Sequence, residues 1–197
     1  LRFPLQQNGD TFKTTLQGPE NSFLADNPPL ELPLEIRLDR ARRIAEIAID
    51  NDVILDGEGQ LTVDGNDDHR VLSVRPGITA QLVGMTVSGG QVDQPGDRGA
   101  GVLNEGTLTM ADSLITENSA GQEYTGAEVG GIYNTGTLTL LKSSVFQNFG
   151  LRAASGIGSV GTLTLIDSTV SRNCCAMAIA SSGTTLMVGS TVFDNAL

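Results

Sequence analysis

Tryptophan is absent from this chain of 197 residues, cysteine occurs only twice, and lysine only at Lys13 and Lys142. Each scarcity excludes something. With 24 glycines and no Trp, the composition fits a turn-rich β-solenoid better than a packed globule. The two cysteines are adjacent, Cys174 and Cys175, so they form neither a CxxC redox motif nor a spaced zinc site. They are read as two small residues packed at a turn, with a strained vicinal disulfide or an intermolecular bridge as the alternatives. They do not fix the compartment. The net charge of −11 repels phosphate backbones and anionic lipid alike, which argues against nucleic acid and against adsorption to such membranes. No apolar run reaches the length of a transmembrane helix. The chain opens Leu-Arg-Phe-Pro, with neither an initiator Met nor a signal-peptide pattern, and a processed or trimmed N-terminus is expected.

What the chain does have is one phrase written four times. Gly106 to Asn118 reads GTLTMADSLITEN, Gly136 to Asn148 reads GTLTLLKSSVFQN, and Gly161 to Asn173 reads GTLTLIDSTVSRN. Gly183 to Asn195 reads GTTLMVGSTVFDN, and the four copies start 30, 25 and 22 residues apart. Self-similarity at such a period marks a stacked repeat. The alternating Thr-Leu-Thr-Leu has strand period, not helix period. Each unit offers about three short strands: the Gly101–Asn104 type, the Thr-Leu run and the Ser-x-Val segment.

Three strands joined by turns describe one coil of a right-handed parallel β-helix. The expectation is six to seven such coils over residues 34–197, with 1–33 a non-repeating N-terminal cap or arm. Stacked coils place Met110, Leu140, Leu165 and Met187 in one inner column, and Ile115, Val145, Val170 and Val192 in another. Asn118, Asn148, Asn173 and Asn195 form a corner column, where an Asn tolerates left-handed backbone and its amide bonds the next coil. Val63 and Asn66 match the tenth and last places of the phrase, and Gly90 stands where Asn would be. Leu34 to Leu38 alternates as a half-buried strand, and a turn is expected at 39–43. Residues 1–33 hold five of the seven prolines. They cover the first coil or reach a neighbouring molecule.

With DGEGQLTVDGN, RVLSV, MTVSGG, GAGVLNEGTLTMADSLITENSA and GGIYNTGTLTL on the page, residues 44–197 resemble a family. It is that of bacterial right-handed parallel β-helix repeat proteins of the secreted, surface-anchored type. They are similar in repeat style to polymorphic outer-membrane adhesins with GG-[AI] and xxN repeats. The resemblance implies an extracellular or cell-surface setting, and it does not extend to residues 1–43.

Candidate sites follow. Asp64, Asp67 and Asp68 with the only histidine, His69, are oxygen-rich enough for Ca²⁺, though Asp-Gly-Asn-Asp is also ordinary turn chemistry. The longest insertions, Gln91–Ala100 and Ser119–Val129, follow the same coil corner and should stack on one side. They bring Asp93, Asp97, Arg98, Glu123, Tyr124 and Glu128 to a candidate ligand surface, for instance for surface carbohydrate. A pectin-type enzyme on this fold would carry Gly-His-Gly and Arg-Ile-Lys, and both are absent; Lys142 and Arg172 lie in different coils. The leading expectation is therefore a non-catalytic structural or adhesive protein, the rival a polysaccharide-active lyase or glycoside hydrolase, with a carbohydrate-binding module between them. No cofactor is expected unless Ca²⁺ binds. Because no polar segment follows the last copy, Met187, Val192 and Leu197 are an expected end-to-end interface between copies of the chain, propagating into filaments.

Overall fold

A strand that cannot satisfy its own backbone must find a neighbour, and a chain that repeats its strands can supply that neighbour from the next coil. The computed structural model describes residues 6–8, 11–13, 34–37, 46–121 and 128–196, and among these it is all β, without a helix. Parallel strands stack into a β-solenoid of about six coils.

The first wall is an eight-stranded sheet, in spatial order β1 (Gln6–Asn8), β2 (Thr11–Lys13), β4 (Ile47–Ile49), β6 (Leu72–Val74), β9 (Val102–Asn104), β13 (Ile132–Asn134), β17 (Ala154–Ser159) and β20 (Met177–Ser181). β1 and β2 are an antiparallel hairpin, and β2 pairs with β4 at Phe12 and Ile47. Part of the non-repeating N-terminus thus lies along the edge of the first coil. The turn expected at 39–43 lies outside the described residues.

The second wall carries the Thr-Leu runs, β10 (Thr107–Ala111), β14 (Thr137–Leu141), β18 (Thr162–Ile166) and β21 (Thr184–Val188). The third carries the Ser-x-Val segments, β11 (Leu114–Thr116), β15 (Ser144–Phe146), β19 (Thr169–Ser171) and β22 (Thr191–Phe193). In the first two coils these walls are not separate strands. β5 (Val53–Asp64) and β7 (Thr79–Ser88) each run through both, bending at a register shift between Asp56 and Leu61 and joining everything into one eleven-stranded sheet. β3 (Leu34–Arg37) pairs with Leu61–Asp64 outside β5, so the strand expected from Leu34 is present.

The inner columns have the expected register. Met110, Leu140, Leu165 and Met187 are consecutive partners, as are Ile115, Val145, Val170 and Val192. In the interior coils these side chains are fully buried and belong to one continuous core with Leu82, Leu108, Ile132 and Ile157. Val63 joins that core in line with Val87.

The corners correct the sequence reading by one residue. The left-handed position is not Asn118, Asn148, Asn173 or Asn195 but the residue before each: Glu117, Gln147, Arg172 and Asp194, with φ of 55°, 53°, 54° and 55°. That frees the Asn to turn inward, where Asn118, Asn148 and Asn173 are buried. Asn66 is corrected too. It is itself left-handed at φ 55° and exposed, because its coil closes through a separate Asp-Gly-Asn turn. A second corner between the later second and third walls is left-handed at Asp112, Lys142, Asp167 and Gly189. The leading Gly of each phrase has a steric cause. A Cβ on Gly136, Gly161 or Gly183 would lie 2.0–2.1 Å from the carbonyl oxygen of the Gly one coil earlier.

Three polar columns stitch the coils. Asn118 Nδ2 donates to Asn148 Oδ1, Asn148 Nδ2 to Asn173 Oδ1 and Asn173 Nδ2 to Asn195 Oδ1, each at 3.0 Å. The backbone N–H of each of these three donor residues reaches the same oxygens. The Ser of each phrase accepts likewise: Ser113 N–H bonds Ser143 Oγ, Ser143 N–H bonds Ser168 Oγ, and Ser168 N–H bonds Ser190 Oγ, at 3.0–3.1 Å. On the first wall Asn104 donates to Asn134 Oδ1 at 2.7 Å, and Asn134 to Ser159 Oγ at 3.0 Å.

These columns predict where stability resides. Leu140→Ala should lower the unfolding free energy by about 2–5 kcal/mol through an unfilled core cavity. Asn148→Ala should cost about 1–3 kcal/mol for each buried group left unpaired. Gln147→Gly, at the exposed left-handed position beside it, should not destabilise. Denaturant unfolding of the three variants checks this, and equal midpoints would refute the assignment of the columns.

Candidate functional site

The insertions stack as their shared corner requires. Their first residues pair in parallel as β8 (Gln91–Val92), β12 (Ser119–Ala120) and β16 (Phe149–Gly150), a three-stranded sheet that the bridges Phe149–Cys174 and Cys174–Ala196 continue. Their last residues pair again, Arg98 with Val129 and Val129 with Ala154. Where the chain returns, this second pairing covers the outer face of the first wall. There Val129 and Ala154 pack on Tyr133, with Leu103 and Ala180 at the margin.

Of the six residues expected at this surface, the structure brings two together. The Arg98 guanidinium lies with Nε 2.5 Å from Glu128 Oε2, donates from Nη1 to Tyr133 Oη at 2.6 Å, and sits 4.9 Å from the Tyr133 ring centroid. The Glu128 carboxylate raises the already high pKa of Arg98; burial opposes it and Tyr133 adds to it, so the cation persists at any ordinary pH. Asp97 instead closes a Gln94–Asp97 turn, its carboxylate accepting from Gln94 N–H, and Asp93 accepts from the Gln94 side chain at 2.8 Å. Glu123 and Tyr124 lie outside the described residues. The aromatic partner of Arg98 is therefore Tyr133, which sequence reading passed over because it sits 35 residues away inside a repeat strand.

A second ionic group anchors the same layer and was also missed. Arg70 donates to Glu46 at 2.8 Å, and from Nε and Nη2 to the carbonyls of Gly99 and Arg98 at 3.1 and 3.2 Å. Ser73 donates to the other Glu46 oxygen at 3.1 Å, with Arg75 at 3.9 Å. Arg70 thus ties the first long loop to the strand before it. Its partners come from 24 to 29 residues away, a spacing with no local signature.

The carboxylate group at Asp64–Asp68 is turn chemistry. Asp64 Oδ1 accepts from Asn66 N–H at 2.7 Å, Asn66 and Asp67 are both left-handed, and Asp67 N–H bonds Gly89 O at 2.7 Å. Asp68 lies 3.2 Å from His69 Nε2. Among the described residues no three His, Cys, Asp or Glu side chains are gathered closely enough to hold a metal ion.

At the far end, Met187 and Val192 are 41% and 43% exposed although they sit in the inner columns, because no described coil covers them. Leu186, Val188 and Phe193 are exposed beside them, and β20, β21 and β22 are the last strands of their walls. Leu197 lies outside the described residues. A shallow open groove of about 380 Å³, unforeseen from sequence, runs along the second corner, lined by Gly59, Gly84, Asp112, Lys142 and Ser144. It holds one acid and one base.

Comparison with protein-family models, with curated proteins and with solved structures finds no match.

Cys174 and Cys175 are free thiols at a turn, but of the two expected to pack there Cys174 is half-buried and Cys175 exposed. The Cys174 pKa is pushed up to about 11 by its hydrogen bond with Cys175 and by burial, while Cys175 is exposed. Since the thiolate is the nucleophile, maleimide at neutral pH should label Cys175 first. Labelling of Cys174 should accelerate towards pH 11. Mass spectrometry of timed digests checks the order, and equal rates at pH 7 would contradict it.

Proposed function

We propose that this chain is a non-catalytic structural or adhesive rod of an extracellular or cell-surface setting, which holds a layer of loops against one wall for contact with surface carbohydrate. The observation that carries this reading is how the polar side chains are engaged. The buried Asn and Ser columns join coil to coil, and Arg70, Glu46, Arg98 and Glu128 fix the loops to the first wall. Groups held so firmly in mutual pairs suit display of a rigid surface better than proton transfer. The setting, and kinship with bacterial surface β-helix repeat proteins, rest on the repeat style GG-[AI] and xxN alone.

The rival is a polysaccharide-active enzyme on the same fold. Incubation with polyuronates, alginate and neutral glycans separates the two. Retention on an immobilised glycan without release of reducing or unsaturated ends is expected, weakened about tenfold in Arg98→Ala, the loss of one charge-assisted contact. Product release that disappears in Asp67→Ala or Asp68→Ala would establish the enzyme.

The rod also associates end to end in this reading. The last described coil exposes Met187, Val192 and Phe193 beside three wall edges, a surface that favours a further coil, whichever chain supplies it. For these 197 residues in solution, sedimentation should show concentration-dependent association, reduced in Met187→Lys. A monomer at every concentration would remove it.

A further inference from the structure

The outer face of the second wall belongs to no site described so far. Along it the phrase Thr-Leu-Thr sends each Leu into the core and both Thr outward, coil after coil. Thr107, Thr137 and Thr162 are direct neighbours in register, and so are Thr109, Thr139 and Thr164. The first column continues to Thr79 on one side and Thr184 on the other, while the second ends at Gln81 and Leu186. No register shift interrupts these pairings, unlike those at β5 and β17. The result is a two-dimensional net of threonines, about 4.8 Å between coils and about 6.6 Å between columns, from strand spacing and twice the rise per residue.

Three features narrow what such a net recognises. First, the strand segments 79–83, 107–111, 137–141, 162–166 and 184–188 contain no charged residue, in a chain of net charge −11. Second, Thr107, Thr137 and Thr162 are exposed, Thr109, Thr139 and Thr164 half-buried, and none of the six hydroxyls has a partner among the described residues. At the margins, by contrast, Thr135 and Thr185 hydroxyls are engaged. Third, the neighbouring outward column is aliphatic: Val83, Ala111, Leu141, Ile166 and Val188. Threonine is restricted at χ1, so each methyl and hydroxyl has few positions to choose from before any ligand arrives.

A small ligand would touch one or two of these side chains and gain little. A ligand with the same repeat touches all of them at once, and many weak contacts on one rigid body sum without further ordering cost. The ligand must therefore be periodic, uncharged and rich in oxygen. Crystalline polysaccharides meet that description too, but the flat faces of their sugar rings pack best on aromatic rings, and these strand segments carry no aromatic residue. The remaining lattice is water itself. Prism faces of hexagonal ice present oxygens in a rectangular net, its short edge near the coil spacing and its long edge near two residues of strand rise.

We propose that the threonine face of the second wall binds ice. Its hydroxyls take lattice positions for water, and the methyl groups between them order the adjoining layer. This goes beyond the loop-layer reading and uses none of its residues.

The test is slow directional freezing of the purified chain, with the fraction trapped in ice measured against a co-frozen control protein, together with microscopy of crystal growth below the melting point. The wild type should concentrate in the ice and arrest growth. Thr139→Tyr, a strand-compatible residue in the middle of the net, should lower the trapped fraction about tenfold through loss of multivalent fit. Thr139→Val should keep most of it, and so should the loop variant Glu128→Ala. Circular dichroism confirms that each variant is folded; Thr137→Lys replaces Thr139→Tyr where it is not. Four results would overturn the proposal: exclusion of the wild type like the control, full trapping of folded Thr139→Tyr, a dimer that this substitution dissolves, or retention on crystalline cellulose or chitin lost in the same variant.

Discussion

One constraint governs this molecule: from Asn118 to Asn195 each coil must offer its neighbour the same hydrogen-bonding group at the same corner. The buried Asn column shows why the choice of residue is narrow. A side-chain amide has two N–H donors and an oxygen with two lone pairs, so it can serve the coil before, the coil after and its own turn together. Asn148 does all three. Its Nδ2 bonds Ile115 O of the earlier coil at 3.0 Å, Phe146 O of its own at 3.2 Å and Asn173 Oδ1 of the next. A hydroxyl has one proton to give, and the Ser column works differently, accepting the N–H of the coil before and donating to carbonyls. Removing either residue from an interior coil leaves several buried groups unpaired at once, each with its own desolvation cost.

Because the coil is held at fixed corners, the chain between them can vary. The thirteen-residue phrase keeps its length four times while the intervening segments shrink, so that starts fall 30, 25 and 22 residues apart. Additional residues leave at one corner and return at another, paired at both ends. The loops are therefore less free than their composition suggests. Arg70 and Arg98 hold them by charge-assisted contacts to Glu46 and Glu128, and Val129 anchors them by burial.

How much of this was legible in the sequence follows from the same physics. Strand period and phrase period are local, so the walls, the inner columns and the stacking of the insertions could all be read from residues such as Leu140, Val145 and Asn148. The left-handed corner was misplaced by one residue because Asn is the usual tenant of that geometry, whereas here burial and the amide column claim it and Gln147 or Glu117 takes the strain. The fusion of two walls in β5 was hidden by Gly57 and Gly59, which look like a turn and are in fact a bend within one strand. The ionic contacts of Arg70 and the Arg98–Tyr133 pair join different coils and carry no signal at short range. Conversely Asp64, Asp67 and Asp68 looked like a site because they are close in sequence, and closeness in a tight turn is a backbone requirement.

The distribution of charge completes the design. Among the described residues, six of the eleven non-glycine residues with positive φ are acidic: Glu58, Asp67, Asp112, Glu117, Asp167 and Asp194. Corners are the one place in a coil where a side chain projects away from both neighbouring walls, so a carboxylate there stays hydrated and costs the stack little. Charges of both signs at the corners, Lys142 and Arg172 among them, also hinder the lateral packing of flat walls on one another, the common failure of exposed β-structure. The walls themselves are then free of the need for charge. The second wall repeats threonine from Thr79 to Thr184 with no charge in those strand segments. A regular, neutral face and a net charge of −11 coexist in this chain.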